Sequence, residues 1–96
     1  MMDKIKNPII NRLFETIMKF EDLQECEAFF EDICTIKEIQ DMSQRLEVAR
    51  LLNKSICYTE ISKRTGASTA TISRVNKCLN YGSDGYKKAL LKMGEE

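Results

Sequence analysis

Between Ser68 and Lys77 the chain sets out hydroxyls, small methyls and cations at helical spacing. Ser68, Thr69, Thr71 and Ser73 can hydrogen-bond base edges or phosphates. Methyls such as those of Ala70 and Thr71 can meet a thymine methyl, and Arg74 can fork onto a guanine. Lys63, Arg64 and Lys77 add point charges suited to a phosphate backbone, and Arg50 is a further candidate. Nothing comparable points to catalysis. There is no histidine, no phosphate-cradling glycine loop and no nucleophile–base pair, and the scattered carboxylates suit solvated helix faces. The expectation is a binding protein rather than an enzyme.

Such a face can enter a groove only if a scaffold holds it there. Steps of about 100° per residue put Ala70, Ser73, Arg74, Lys77 and Tyr81 on one side of a helix over 69–81, with Thr69 and Thr71 flanking. Ile72, Val75 and Leu79 fall on the other side. Ser68 is placed to cap this helix. A shorter helix, Tyr58–Thr65, precedes it and carries Ile61 as its apolar anchor. Between them Gly66 suits a left-handed turn residue, and Ser62 is small where the two helices must cross closely. The segment 58–81 therefore reads as a helix-turn-helix. Its slim polar side would let the N-terminal turn of the second helix reach the floor of a major groove.

Upstream, Asn7-Pro8 opens a helix expected over 8–20, since Asn caps and Pro suits the first turn. A second helix is expected over 22–33. Thr35-Ile36-Lys37-Glu38 has capping-box form and opens a third, over 36–53. A turn at 82–85 leads to a last short helix at about 86–93. One proline and four glycines in 96 residues favour helices over a turn-rich sheet. The fold class is all-α with six helices in a single domain over 1–96. Residues 1–54 would be a helical dimerisation core, 58–81 the helix-turn-helix and 85–94 the C-terminal helix. The first three helices carry more apolar surface than a chain this short can hide alone, which suggests a homodimer.

Charge separates along the chain. Residues 1–41 carry ten acids against five bases, and residues 42–96 carry the reverse, although the whole is neutral. Between Ile61 and Lys92 the only acid is Asp84. A basic half within a small domain suggests an anionic partner. The four cysteines, Cys26, Cys34, Cys57 and Cys78, form no CxxC pair, so neither a metal nor another cofactor is expected. They read as reduced, mostly buried small hydrophobes. With no signal-like start and no apolar run near the roughly 20 residues of a membrane span, a cytoplasmic location is expected. A helical protein–protein interaction dimer that borrows a helix-turn-helix shape is the competing reading. Salt dependence of binding separates the two.

Gly66-Ala67, Ala70-Thr71-Ile72-Ser73-Arg74 and Asn76-Lys77-Cys78-Leu79 resemble the reading head of the tryptophan repressor family. Gln44-Arg45-Leu46-Glu47-Val48-Ala49-Arg50-Leu51-Leu52 matches the end of that family's long central helix. In length and helix order the chain is similar to the repressor-related YerC/YecD group. The motif match covers about 43–81, and the first forty residues match in pattern only. The resemblance implies an intertwined homodimer with two reading heads and a transcriptional regulator, expected to be a repressor. It places the family's DNA-contacting positions on Thr69, Ala70, Thr71 and Ser73. A basic position of the family's first reading-head helix falls on Ser62, with Lys63 beside it. The co-repressor site departs from the pattern. One of the two arginines that sandwich the indole is kept as Arg74, the other position is Gln44, and the glycine that makes room for the ring is Val75. That change implies a vestigial pocket and a protein that does not answer to tryptophan, its effector, if any, being another molecule.

Overall fold

The structure is a computed structural model and describes residues 7–95. Residues 1–6 and 96, part of the expected single domain, lie outside the described residues. Six helices follow one another: α1 (Pro8–Ile17), α2 (Leu23–Ile33), α3 (Ile36–Asn53), α4 (Tyr58–Thr65), α5 (Thr69–Tyr81) and α6 (Gly85–Lys92). No strand occurs among the described residues. The contacts divide the chain into two units, up to Ile36 and from Lys37 onward.

In the first unit, Asn7 caps α1 as its sequence suggests. Its side-chain oxygen accepts from the backbone N–H groups of Ile9 and Ile10, each at 3.0 Å, and Pro8 follows at the first helical position. The helix stops at Ile17 rather than at residue 20. Lys19 and Phe20 donate to the carbonyls of Thr16 and Ile17, three residues back, which tightens the chain out of the α-helix. Asp22 caps α2 by accepting from Glu25 N–H at 2.8 Å, and the Glu25 carboxylate reaches back to Glu21 N–H at 2.8 Å. Phe20, Phe29 and Phe30 form an aromatic cluster with ring centroids 5.2 and 5.7 Å apart. No side chain of α1 or α2 is fully buried.

The second unit holds the core. Val48, Ala49 and Leu51 of α3 meet Ile61 of α4, Ala67 of the turn, Ile72, Val75 and Leu79 of α5 and Leu90 of α6, all fully or nearly fully buried. Burial of each Leu, Ile or Val there contributes about 1.5–3 kcal/mol before entropy is counted. Two helix ends in this unit close by the same hydrogen-bond pattern. After α3, Ile56 N–H donates to Leu51 C=O and Ser55 N–H to Leu52 C=O, with Ser55 left-handed at φ 61°. After α6, Glu95 N–H donates to Leu90 C=O and Gly94 N–H to Leu91 C=O. Gly82 ends α5, where a Cβ would run into the backbone of Cys78.

Candidate nucleic-acid interface

The helix pair α4–α5 is held from inside. Ile61, Ile72 and Val75 are at most 2% exposed and Leu79 only 5%, which is the inner stripe expected from the sequence. On the other side of α5, Ser73, Arg74 and Lys77 are exposed, and Tyr81 is 86% exposed. Ser68, Thr69 and Ala70 are exposed at its N-terminal end, and Thr71 is half-buried. Lys63 and Arg64 lie exposed on α4. Residues 61–83 contain four bases and no acid, so this side carries net positive charge.

The turn is fastened by side chains. Gly66 sits left-handed at φ 74°, ψ 4°, and its N–H donates to Ser62 C=O at 2.8 Å. Ser62 Oγ donates to Ala67 C=O at 2.8 Å. Thr65 Oγ1 donates to Ile61 C=O at 2.8 Å and accepts from Ala67 N–H at 3.1 Å. Ser62 thus acts within the turn, and the neighbouring cation is Lys63. Ser68 caps α5: its Oγ accepts from Thr71 N–H at 3.1 Å and donates to Thr71 Oγ1 at 3.1 Å. Its hydroxyl is thereby engaged in the cap.

The cations differ in how free they are. Arg64 pairs with Glu60 one turn earlier at 3.0 Å, an exposed pair that leaves its charge at the surface. Arg50, a candidate phosphate contact by sequence, is turned to internal work. Its guanidinium grips Glu47 through Nε and Nη2 at 2.7 and 2.8 Å and reaches Glu95 at 3.4 Å. Lys54 holds the same Glu95 at 3.1 Å. The hydrogen bond from Arg50 holds the Glu47 carboxyl below its usual range, and Glu47 in turn raises Arg50.

Gln44 and Arg74 do share a cleft. Lys37, Asp41, Gln44, Arg45, Thr71 and Arg74 line a polar space of about 300 Å³, in which Lys37 and Asp41 are paired at 2.8 Å. Val75 is not part of it; its side chain is packed into the core. Two features of this region escaped the sequence. Arg45 lines the cleft together with Arg74, and Gln44 Nε2 donates to Thr65 C=O at 3.1 Å across 21 residues of chain.

The cysteines are all free, but they are less buried than expected. Cys26 and Cys34 are half-buried, while Cys57, at the N-cap position of α4 without a side-chain capping bond, and Cys78 on α5 are both exposed. Apolar places in the core are taken by Val, Leu, Ile and Ala side chains. Among the described residues no group of three or more potential ligands could hold a metal ion, and no helix is long and apolar enough to cross a membrane.

An inward-locked pair of short helices joined by a glycine turn, with a basic polar side outward, defines a helix-turn-helix protein. Residues 9–94 match the model of the family described as Trp repressor protein. The chain belongs to that family. It is 52% identical over 94 residues to the uncharacterized protein YerC of Bacillus subtilis, covering 98% of this chain and 90% of YerC. Among solved structures it is similar to a candidate Trp repressor from Staphylococcus aureus, at a TM-score of 0.94 and 42% identity, over 99% of this chain and 95% of that one. It is also similar to a TrpR-like protein from Eubacterium eligens, at a TM-score of 0.92 and 50% identity, over 96% of this chain and 95% of that one.

Proposed function

We propose that this protein is a sequence-specific DNA-binding regulator, acting as a repressor, that reads the major groove with α5 as a homodimer in the cytoplasm. One observation carries the reading. The apolar stripe of α5 is sealed in the core while Ser73, Arg74 and Lys77 stand free on the opposite side. In this reading Thr69, Ala70, Thr71, Ser73 and Arg74 meet base edges at the helix's N-terminal half. Lys63, Arg64 and Lys77 hold phosphates, and Ser68 presents the helix end to the backbone. Membership of the Trp repressor protein family supports the same role.

Homodimerisation is supported by apolar surface left uncovered. Ile9, Met18, Leu23 and Ile36 are each more than 70% exposed in the single chain. Two reading heads related by a two-fold axis would face half-sites about 34–36 Å apart, one turn of the duplex. Tryptophan is not the effector in this reading. Where the family keeps a glycine beside the indole, Val75 puts a branched side chain into the core, and Gln44 replaces one of the two flanking arginines.

Selection of bound duplexes from a random DNA pool with the purified full chain tests the proposal. The expected product is a palindromic motif with that half-site spacing, bound with an affinity that falls steeply with salt. Recovery of no motif, together with binding insensitive to salt, would reject DNA reading and favour docking on another protein.

A further inference from the structure

The last turn of α4 leaves backbone carbonyls without partners inside the helix. Ser62 C=O is taken by Gly66 N–H, and one turn earlier Ile61 C=O also accepts from the Thr65 hydroxyl. Thr65 C=O is taken from outside the helix pair, by Gln44 of α3. This bond joins the long helix to the very turn that sets the direction of α5. The same Gln44 side chain approaches Gly66, since a Cβ built on that glycine would lie 4.0 Å from Nε2. It also lines the cleft that contains Thr71 and Arg74, two residues of the reading side.

From this we infer that Gln44 is a positioning residue: by tethering the α4–α5 turn to α3 it fixes the pitch at which α5 is offered to DNA. The inference rests on the DNA-reading function proposed above. The turn's other side-chain hydrogen bonds, from Ser62 and Thr65, stay within residues 61–67, and α5 is otherwise held against α3 by apolar packing, which is non-directional. A hydrogen bond constrains both distance and angle. Gln44 is therefore suited to choose one orientation among those the core would tolerate, without touching DNA itself.

The test compares wild type with Gln44→Met, which keeps length but has no donor, and Gln44→Glu, which keeps shape and can only accept at neutral pH. Two measurements are made on the full chain: amide hydrogen exchange of the free protein, and affinity for the duplex recovered by selection across a salt series. The expected result is faster exchange at residues 65–72 with unchanged exchange at Val48–Leu51. Affinity should fall by roughly 3- to 10-fold, the equivalent of one neutral hydrogen bond, with the salt slope unchanged in the uncharged Gln44→Met variant because no phosphate contact is lost. Unchanged exchange in both variants, or unchanged affinity despite faster exchange at the turn, would overturn the inference. So would exchange that quickens equally throughout 37–95, which marks general destabilisation. Failure of the wild type to bind any duplex sinks the DNA-reading function itself, and the exchange data still decide whether Gln44 holds the turn.

Discussion

Ser62 Oγ donates to the carbonyl oxygen of Ala67 at 2.8 Å, so the first helix of the pair ties down the residue that leads into the second. Ala67 is itself 2% exposed, which leaves its carbonyl little access to water once the hydroxyl is removed. Ser62→Ala should therefore cost about 1–2 kcal/mol, since an acceptor loses its partner in a largely dry place. At fixed protein concentration, thermal unfolding should show a melting temperature lower by roughly 4–8 °C for each kcal/mol. An unchanged melting temperature would show that water satisfies this carbonyl as well as serine does.

The two sides of α5 should separate stability from binding. Ile72 is fully buried, so Ile72→Ala should destabilise the fold by about 2–5 kcal/mol and remove DNA binding with it. Arg74 is exposed, so Arg74→Ala should leave stability within about 0.5 kcal/mol. It should nevertheless weaken binding to the selected duplex by about 1–3 kcal/mol, if the guanidinium forks onto a base. Denaturant unfolding and a binding titration on both variants check this. Loss of stability in Arg74→Ala would place that side chain in the structural network instead.

Much of this arrangement is legible in the amino-acid order because it depends on local rules. Period and caps give α2 to α6 nearly their observed ends, and the stripe Ile72–Val75–Leu79 follows from helical steps alone. Helix α1 ends three residues early because hydrogen bonds tighten after Ile17, where side-chain periodicity carries no warning. The contacts that were missed are long-range. Gln44 finds Thr65 across 21 residues and Arg50 finds Glu95 across 45, and neither residue type announces such a partner. Arg50 reads as a spare surface cation until the C-terminal turn brings Glu95 beside it.

That clamp should appear in the acid limb of stability. The hydrogen bond from Arg50 holds the Glu47 carboxyl below its ordinary value, while Arg50 remains protonated throughout. A carboxyl depressed in the folded state contributes stability above the unfolded-state pKa. The contribution is lost as pH falls through the lower, folded value. The Glu47 side chain is 46% exposed, so the effect is modest and weakens in salt. Glu47→Gln should lower the urea midpoint at pH 7 and have less effect at pH 3. An equal loss at both values would mean that the pair contributes nothing through its charge.

Helix α1 gives the sharpest test of the dimer. Ile9 near its start and Met18 at its C-cap, nine residues apart and so on opposite flanks at about 100° per residue, are 76% and 82% exposed. One chain folding against itself can cover a single stripe of a helix. In the proposed homodimer, a second copy meshing its own N-terminal helices would cover both flanks. In a monomer, Ile9→Glu and Met18→Glu would be surface changes worth no more than about 0.5 kcal/mol. In a meshed dimer each buries a carboxylate in an apolar seam and drives the subunits apart. Sedimentation equilibrium should give the wild type twice the 11.1 kDa chain mass. Both variants should show a lower, concentration-dependent mass and a melting temperature that rises with protein concentration. A wild type sedimenting as a single chain, with variants as stable as their parent, would show that these flanks meet only water.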